Sequence, residues 1–181
     1  MKVEETPLKG VLVIKPDVFG DSRGYFFESY KSTEYVKCGI AQDFVQDNIS
    51  RSVKGTMRGL HYQVGEFAQG KLCQVIYGMV LDVVVDIRKN SPTFGKHFSV
   101  ILSEKEHCQI WIPPGFAHGF SVLSDYAIFH YKCTQFYNKE SERSINYADS
   151  ELNIDWKVDN PIVSDKDKSA RLFKDIGPDV F

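Results

Sequence analysis

Apolar residues recur along most of the chain in short runs, punctuated by Gly, Pro, Asn and Ser, the pattern of strands and turns. Ten runs read as strands: residues 11–15, 24–30, 43–49, 56–63, 71–77, 80–88, 97–102, 108–112, 119–123 and 126–137. The alternation is clearest over 80–88, where Leu81, Val83, Val85 and Ile87 share one face and Asp82, Val84, Asp86 and Arg88 the other. Gly78, between Tyr77 and Met79, predicts a tight turn joining neighbouring strands. Helical signals are brief. Residues 32–37 end at Gly39, Ser103-Glu104-Lys105-Glu106 resembles a capping box, and a short helix is expected near 164–173. Beyond Tyr137 the chain turns polar and irregular. Strands spaced near a dozen residues apart predict one all-β domain over 1–181, an antiparallel sandwich or barrel with the C-terminal segment draped over it.

Composition narrows the class. With 181 residues, 43% hydrophobic and 25% charged, the chain is an ordinary globular domain. Roughly 70% of the unfolded surface can be buried at this size, so no disulfide framework is needed. Twenty-two Lys+Arg against 24 Asp+Glu leave a net charge of -2, and nothing in that balance favours nucleic acid or an anionic membrane as partner. A local basic pocket for one small anion is compatible with it. Cys38, Cys73, Cys108 and Cys133 form no paired-ligand spacing, and Cys73 and Cys133 read as small hydrophobes within strands. Residues 1–10 lack the apolar core of a signal peptide, and no apolar run approaches membrane-spanning length, so the reduced cytoplasm is the expected compartment.

Candidate chemistry gathers around two histidines. His61 sits in a strand with Gln46, Asp47, Asn48 and Ser50 upstream and Lys71 and Gln74 downstream, more hydrogen-bonding groups than a sheet interior needs. A lone strand histidine is more often structural, but these neighbours shift the balance and predict a wet, polar cavity. In the second motif, residues 112–120, two prolines and two glycines fix a turn that delivers His118 to a strand. Its PxGxxH arrangement resembles the second signature of cupins, small β-jelly-roll domains. The first cupin signature, HxH with a later Glu and Gly, reads here as His61-Tyr62-Gln63 with Glu66 and Gly70, so glutamine replaces the second histidine. His61, Glu66 and His118 would be the surviving metal donors, which keeps a metal-dependent cupin, such as an oxygenase, as an alternative of another class. Asp82, Asp86 and Arg88 read as an ion-paired solvated or cavity-wall face without a catalytic role.

A more specific resemblance spans nearly the whole chain. Phe19-Gly20-Asp21-Ser22-Arg23-Gly24-Tyr25-Phe26-Phe27-Glu28, Phe44-Val45-Gln46-Asp47-Asn48-Ile49-Ser50, Arg58-Gly59-Leu60-His61-Tyr62-Gln63 and Gln69-Gly70-Lys71-Leu72 occur in order. Residues 82–88, 115–120, Tyr131-Lys132-Cys133-Thr134 and Ser164-Asp165-Lys166-Asp167 follow. Together they resemble the dTDP-4-dehydrorhamnose 3,5-epimerases, a metal-free branch of the cupins. The resemblance implies a cupin β-jelly roll with the C-terminal segment over the barrel mouth, and no cofactor or metal. It also implies inversion of C3 and C5 of dTDP-4-dehydro-6-deoxy-D-glucose. Both C–H bonds lie α to the C4 ketone, so the reaction needs a base on one face, a proton donor on the other and a cation at the enolate.

By resemblance His61 is the base, Asp167 orients and charges its ring, Tyr131 is the opposite-face acid and Lys71 stabilises the enolate. Arg23, Arg58 and Lys166 are implied near charged or sugar groups. Glu28, Gln46, Asp47, Asn48 and Glu142 are implied in further substrate contacts, and His118 in shaping the sugar pocket. The family implies a homodimer whose N-terminal segment, with Arg23 and Glu28, reaches the partner's site; exposed strand edges also favour association. A regular pleat puts Arg58 and His61 on opposite faces, so either a bulge at Gly59 or Arg58 reaching round the strand end is expected. Relatives that invert only C3 or only C5 stay open as alternatives. A non-catalytic sugar-nucleotide binder is disfavoured because it needs no base.

Overall fold

The computed structural model describes residues 1–177 and 181. Its strands are β1 (Lys2–Glu5), β2 (Leu12–Lys15), β3 (Phe19–Asp21), β4 (Gly24–Phe26), β5 (Gln46–Val53), β6 (Met57–Gln63) and β7 (Lys71–Tyr77). They continue with β8 (Met79–Asp86), β9 (His97–Ser103), β10 (Gln109–Ile112), β11 (Phe116–Val122), β12 (Tyr126–Cys133) and β13 (Glu142–Ser144). The helices are α1 (Ser32–Lys37) and α2 (Asp165–Lys168). An antiparallel six-stranded sheet, ordered β1-β2-β10-β7-β12-β5, faces a five-stranded one, ordered β13-β6-β11-β8-β9, and β3–β4 stands apart as a hairpin. This is the expected two-sheet jelly roll.

Alternation decides what each face covers. The even residues Val80 and Val84 of β8 point between the sheets, packing with Cys73, Val75, Ile110, Phe120 and Phe129. The odd residues Leu81, Val83, Val85 and Ile87 point outward, where Leu152, Trp156, Val163, Phe173 and Ile176 of the C-terminal segment cover them. That segment therefore clothes the outer face of the smaller sheet rather than the barrel mouth, and α2 is the part of it that reaches the site. Burying such side chains contributes about 1.5–3 kcal/mol each, which is what holds a segment with so little regular structure.

Several elements differ from their sequence pattern. Gly78 (φ +81°) does not close a hairpin: β7 and β8 lie in different sheets, and the glycine marks the crossing. A Cβ there would stand 2.2 Å from the Tyr126 carbonyl oxygen. Ser103 accepts from the Glu106 N–H at 3.3 Å as a capping residue would, but the turn does not continue into a helix. The helical signal at 164–173 resolves into α2 and a separate 3-10 turn at Phe173–Asp175. The last long strand stops at Cys133, short of Tyr137. The short strands β1, β3 and β13 carry too few residues for a period to register.

Candidate active site

The site begins with an irregularity in β6. Against β11 the register runs His118↔His61 and then Phe120↔Arg58, so β6 carries one extra residue between Arg58 and His61. Gly59 takes φ +125°, and a Cβ on it would lie 2.5 Å from Gly119 Cα. Only glycine fits so close an approach in that conformation. The bulge turns Met57 and Leu60 outward into the C-terminal packing and both Arg58 and His61 inward, as expected.

Inside, two adjoining cavities open between the sheets. One, of about 300 Å³, is lined by Gln46, Asn48, His61, Lys71, Tyr131 and Glu142 among others. The second, of about 140 Å³, is lined by Ser50, Arg58, His118 and Phe129 and again by His61, Lys71 and Tyr131. Those three residues form the waist between the lobes. His61 comes from the smaller sheet, Lys71 and Tyr131 from the larger, so they approach the waist from opposite walls.

His61 Nε2 lies 2.6 Å from Asp167 Oδ1. Ser164 caps α2 by accepting the Asp167 N–H at 3.2 Å, which places this carboxylate behind the imidazole. Burial pushes the Asp167 carboxyl upward, but the His61 bond and charge, the Ser164 hydroxyl and the Gly59 N–H outweigh it, and the net shift is downward. The group is held ionised. Burial raises the Tyr131 phenol to about 12, so it keeps its proton at neutral pH. The Ser50 hydroxyl is buried at the smaller lobe without a hydrogen-bond partner among the described residues, a group that an occupant can satisfy.

Other expected residues are placed more variously. Arg58 Nε donates to Ser52 Oγ at 3.1 Å, and Gln46 and Asn48 bond each other at 3.0 Å. His118 is buried with Nε2 at 2.9 and 3.0 Å from the two Asp82 oxygens. Glu142 accepts from the Tyr137 hydroxyl at 2.9 Å and pairs with Lys166 at 2.5 Å. Asp47 is not brought to the cavity: its strand position faces outward, where it pairs with Lys132 at 2.8 Å. Arg23 and Glu28 are also absent from their own chain's cavity, Arg23 pairing with Asp21 on the exposed β3–β4 hairpin. Tyr137 lines the larger lobe from an irregular segment, not from the strand of Tyr131. Asp86 is ion-paired with Arg88 and Asp82 is hydrogen-bonded to His118, but both carboxylates are fully buried rather than solvated. The donors of the metal alternative do not converge: Glu66 is exposed on a 3-10 turn, and among the described residues no three His, Cys, Asp or Glu side chains form a metal-holding group.

A family model described as dTDP-4-dehydrorhamnose 3,5-epimerase matches residues 5–175. The chain belongs to this family. It is 52% identical over 176 residues to the dTDP-4-dehydrorhamnose 3,5-epimerase of Shigella flexneri, covering 97% of each chain. A crystal structure of the 3,5-epimerase from Legionella pneumophila, in complex with dTDP-4-keto-L-rhamnose, superposes with a TM-score of 0.93 at 50% identity, over 97% of this chain and 94% of that one. A 3'-monoepimerase from Streptomyces bikiniensis, in complex with dTDP-quinovose, aligns at 30% identity with a TM-score of 0.88, over 94% and 87%. As a member of the 3,5-epimerase family the chain is an isomerase on the cupin-like jelly roll. Among its described residues no helix is long and apolar enough to cross a membrane.

Sequence reasoning found the waist residues but missed two features of the site. Gln63 stood out only as a departure from a histidine pattern, and Ser164 as part of a polar tail motif. Their roles depend on contacts with distant segments, which no local spacing encodes.

Proposed function

We propose that the chain inverts C3 and C5 of dTDP-4-dehydro-6-deoxy-D-glucose, with the sugar at the waist and the nucleotide extending along the larger lobe. The observation that carries this reading is that His61, Lys71 and Tyr131 line both lobes from opposite sheets. His61 takes the C–H proton. The electron pair moves toward O4, where the Lys71 ammonium stabilises the enolate. Tyr131 then gives its proton to the same carbon from the other face, which inverts it. Imidazolium and phenolate return to their starting states by exchange with water, so the cycle needs no oxidant, reductant or cofactor. Asp167 fixes the tautomer of His61 and stabilises the imidazolium as it forms.

Arg58, Gln46, Asn48, Glu142 and Lys166 would serve the nucleotide and sugar, and His118 with Ser50 the smaller lobe. Arg58, which lines the smaller lobe next to the waist, would set its planar cationic fork against oxygens at the sugar end. Arg23 and Glu28 stand away from their own cavity, so we assign them to the site of a second copy in a homodimer. Inversion at both carbons is favoured over a single one by the higher identity to the 3,5-epimerases than to the monoepimerase.

Incubation with dTDP-4-dehydro-6-deoxy-D-glucose in heavy water, followed by NMR, tests the reading. Deuterium at both C3 and C5 is expected. Deuterium at one carbon would indicate a restricted epimerase, and none at either would overturn the proposal.

A further inference from the structure

We infer that Gln63 is a positioning residue that holds Tyr137 over the cavity. The inference rests on the larger lobe being the substrate site. Gln63 occupies the position where a cupin HxH pattern would set its second histidine, and it is only 5% exposed. Its amide is spent on backbone. Nε2 donates to the Phe67 carbonyl at 2.7 Å and to the Phe136 carbonyl at 3.0 Å, while Oε1 accepts the Asn138 N–H at 2.7 Å. The last two bonds grip the residues on either side of Tyr137.

Two further contacts complete the hold. The Tyr137 N–H donates to Gln46 Oε1 at 2.9 Å, and its hydroxyl donates to Glu142 Oε2 at 2.9 Å. Glu142 is the ladder partner of Gln63 on β13, so one rung fixes both the backbone and the hydroxyl of the tyrosine. Tyr137 is itself 54% exposed, so side-chain packing does little to orient it. The segment after Cys133 belongs to no strand, and these bonds take the place of a ladder. An aromatic ring so held at the lobe can cover the sugar or base of a nucleotide sugar. A side chain with one donor site, such as neutral histidine, could not bridge the Phe67 and Phe136 carbonyls while accepting from Asn138.

The test is a double-mutant cycle read in KM and kcat. Gln63→Met keeps length and volume while deleting all three bonds, and Tyr137→Ala deletes the positioned ring. Gln63→Met is expected to raise KM about tenfold with a smaller change in kcat. In the Tyr137→Ala background the same substitution should change KM less than about twofold, because the group it positions is gone. Equal effects of Gln63→Met in both backgrounds would overturn the inference, as would an unchanged KM in the single variant. If Gln63→Met does not fold, Gln63→Glu serves. It keeps the acceptor for Asn138 and loses the two donor bonds, and the same non-additivity is required. Amide hydrogen exchange in the ligand-free protein separates this inference from the functional reading. Faster exchange at Tyr137 and Asn138 in Gln63→Met supports the clamp whatever the substrate proves to be, and unchanged exchange contradicts it.

Discussion

The pair His61 and Asp167 joins residues 106 positions apart at 2.6 Å, a contact that no local spacing encodes. Asp167→Asn preserves shape but removes the charge that stabilises the imidazolium, so kcat should fall about a hundredfold or more with substrate affinity largely retained. Steady-state kinetics check this, and a KM effect without a kcat effect would contradict it. His61→Asn should go further and abolish deuterium exchange at both carbons, since no acceptor remains for the proton. Asp86 makes a separate prediction about stability. Burial pushes its carboxyl up, but Arg88, Ser91 and Thr93 outweigh this and lower it from 3.8 to about 2. A carboxylate lowered in the folded state contributes stability that is full above its unfolded value and lost as pH falls through the folded one. About 2 kcal/mol should therefore disappear between roughly pH 4 and pH 2, and Asp86→Asn should flatten that limb of a denaturation series. His61 and its polar neighbours were legible in the sequence because hydrogen-bonding groups crowd an otherwise apolar sheet pattern. Asp167 was legible only through family resemblance: its Asp-Lys-Asp-Lys surroundings look solvated until the C-terminal segment packs against the sheet and buries it.

At the level of elements, the bulge at Gly59 decides whether the site exists. Strand parity, combined with a family resemblance that puts Arg58 and His61 in one site, pointed either to this bulge or to Arg58 reaching round the strand end, and the structure takes the bulge. Gly59→Ala would drive a methyl to 2.5 Å from the Gly119 backbone in a conformation that alanine avoids. We expect a loss of about 2–4 kcal/mol in chemical denaturation, with activity lost even where the fold survives. Wild-type stability in this variant would show that the bulge is not constrained. Strand existence was legible from alternation and turn residues, but sheet membership was not. Gly78 illustrates why: a glycine between two strands fits a hairpin and a crossing between sheets equally well, and packing of the whole sandwich chooses. β13 was invisible because its three residues are half-buried on both faces and are set by pairing with β6.

For the whole molecule, the proposed dimer and the opposed sheets each make a prediction. If the β3–β4 hairpin serves a partner's cavity, Arg23→Ala and His61→Asn damage different halves of a shared site. Co-expressing the two inactive variants should restore about a quarter of wild-type activity, because half of the dimers are mixed and each mixed dimer holds one intact site. No recovery would place Arg23 outside the partner's site. The central claim is that two facing sheets deliver base and acid to opposite faces of one sugar. Its most direct test is the ratio of deuterium incorporated to product inverted, compared between wild type and Tyr131→Phe. Removing the phenol leaves His61 able to form the enolate and to return a proton to the face it came from. Exchange should then far outrun inversion in Tyr131→Phe. An unchanged ratio would show that Tyr131 is not the acid, and that the opposition of the two walls is not what inverts the carbon.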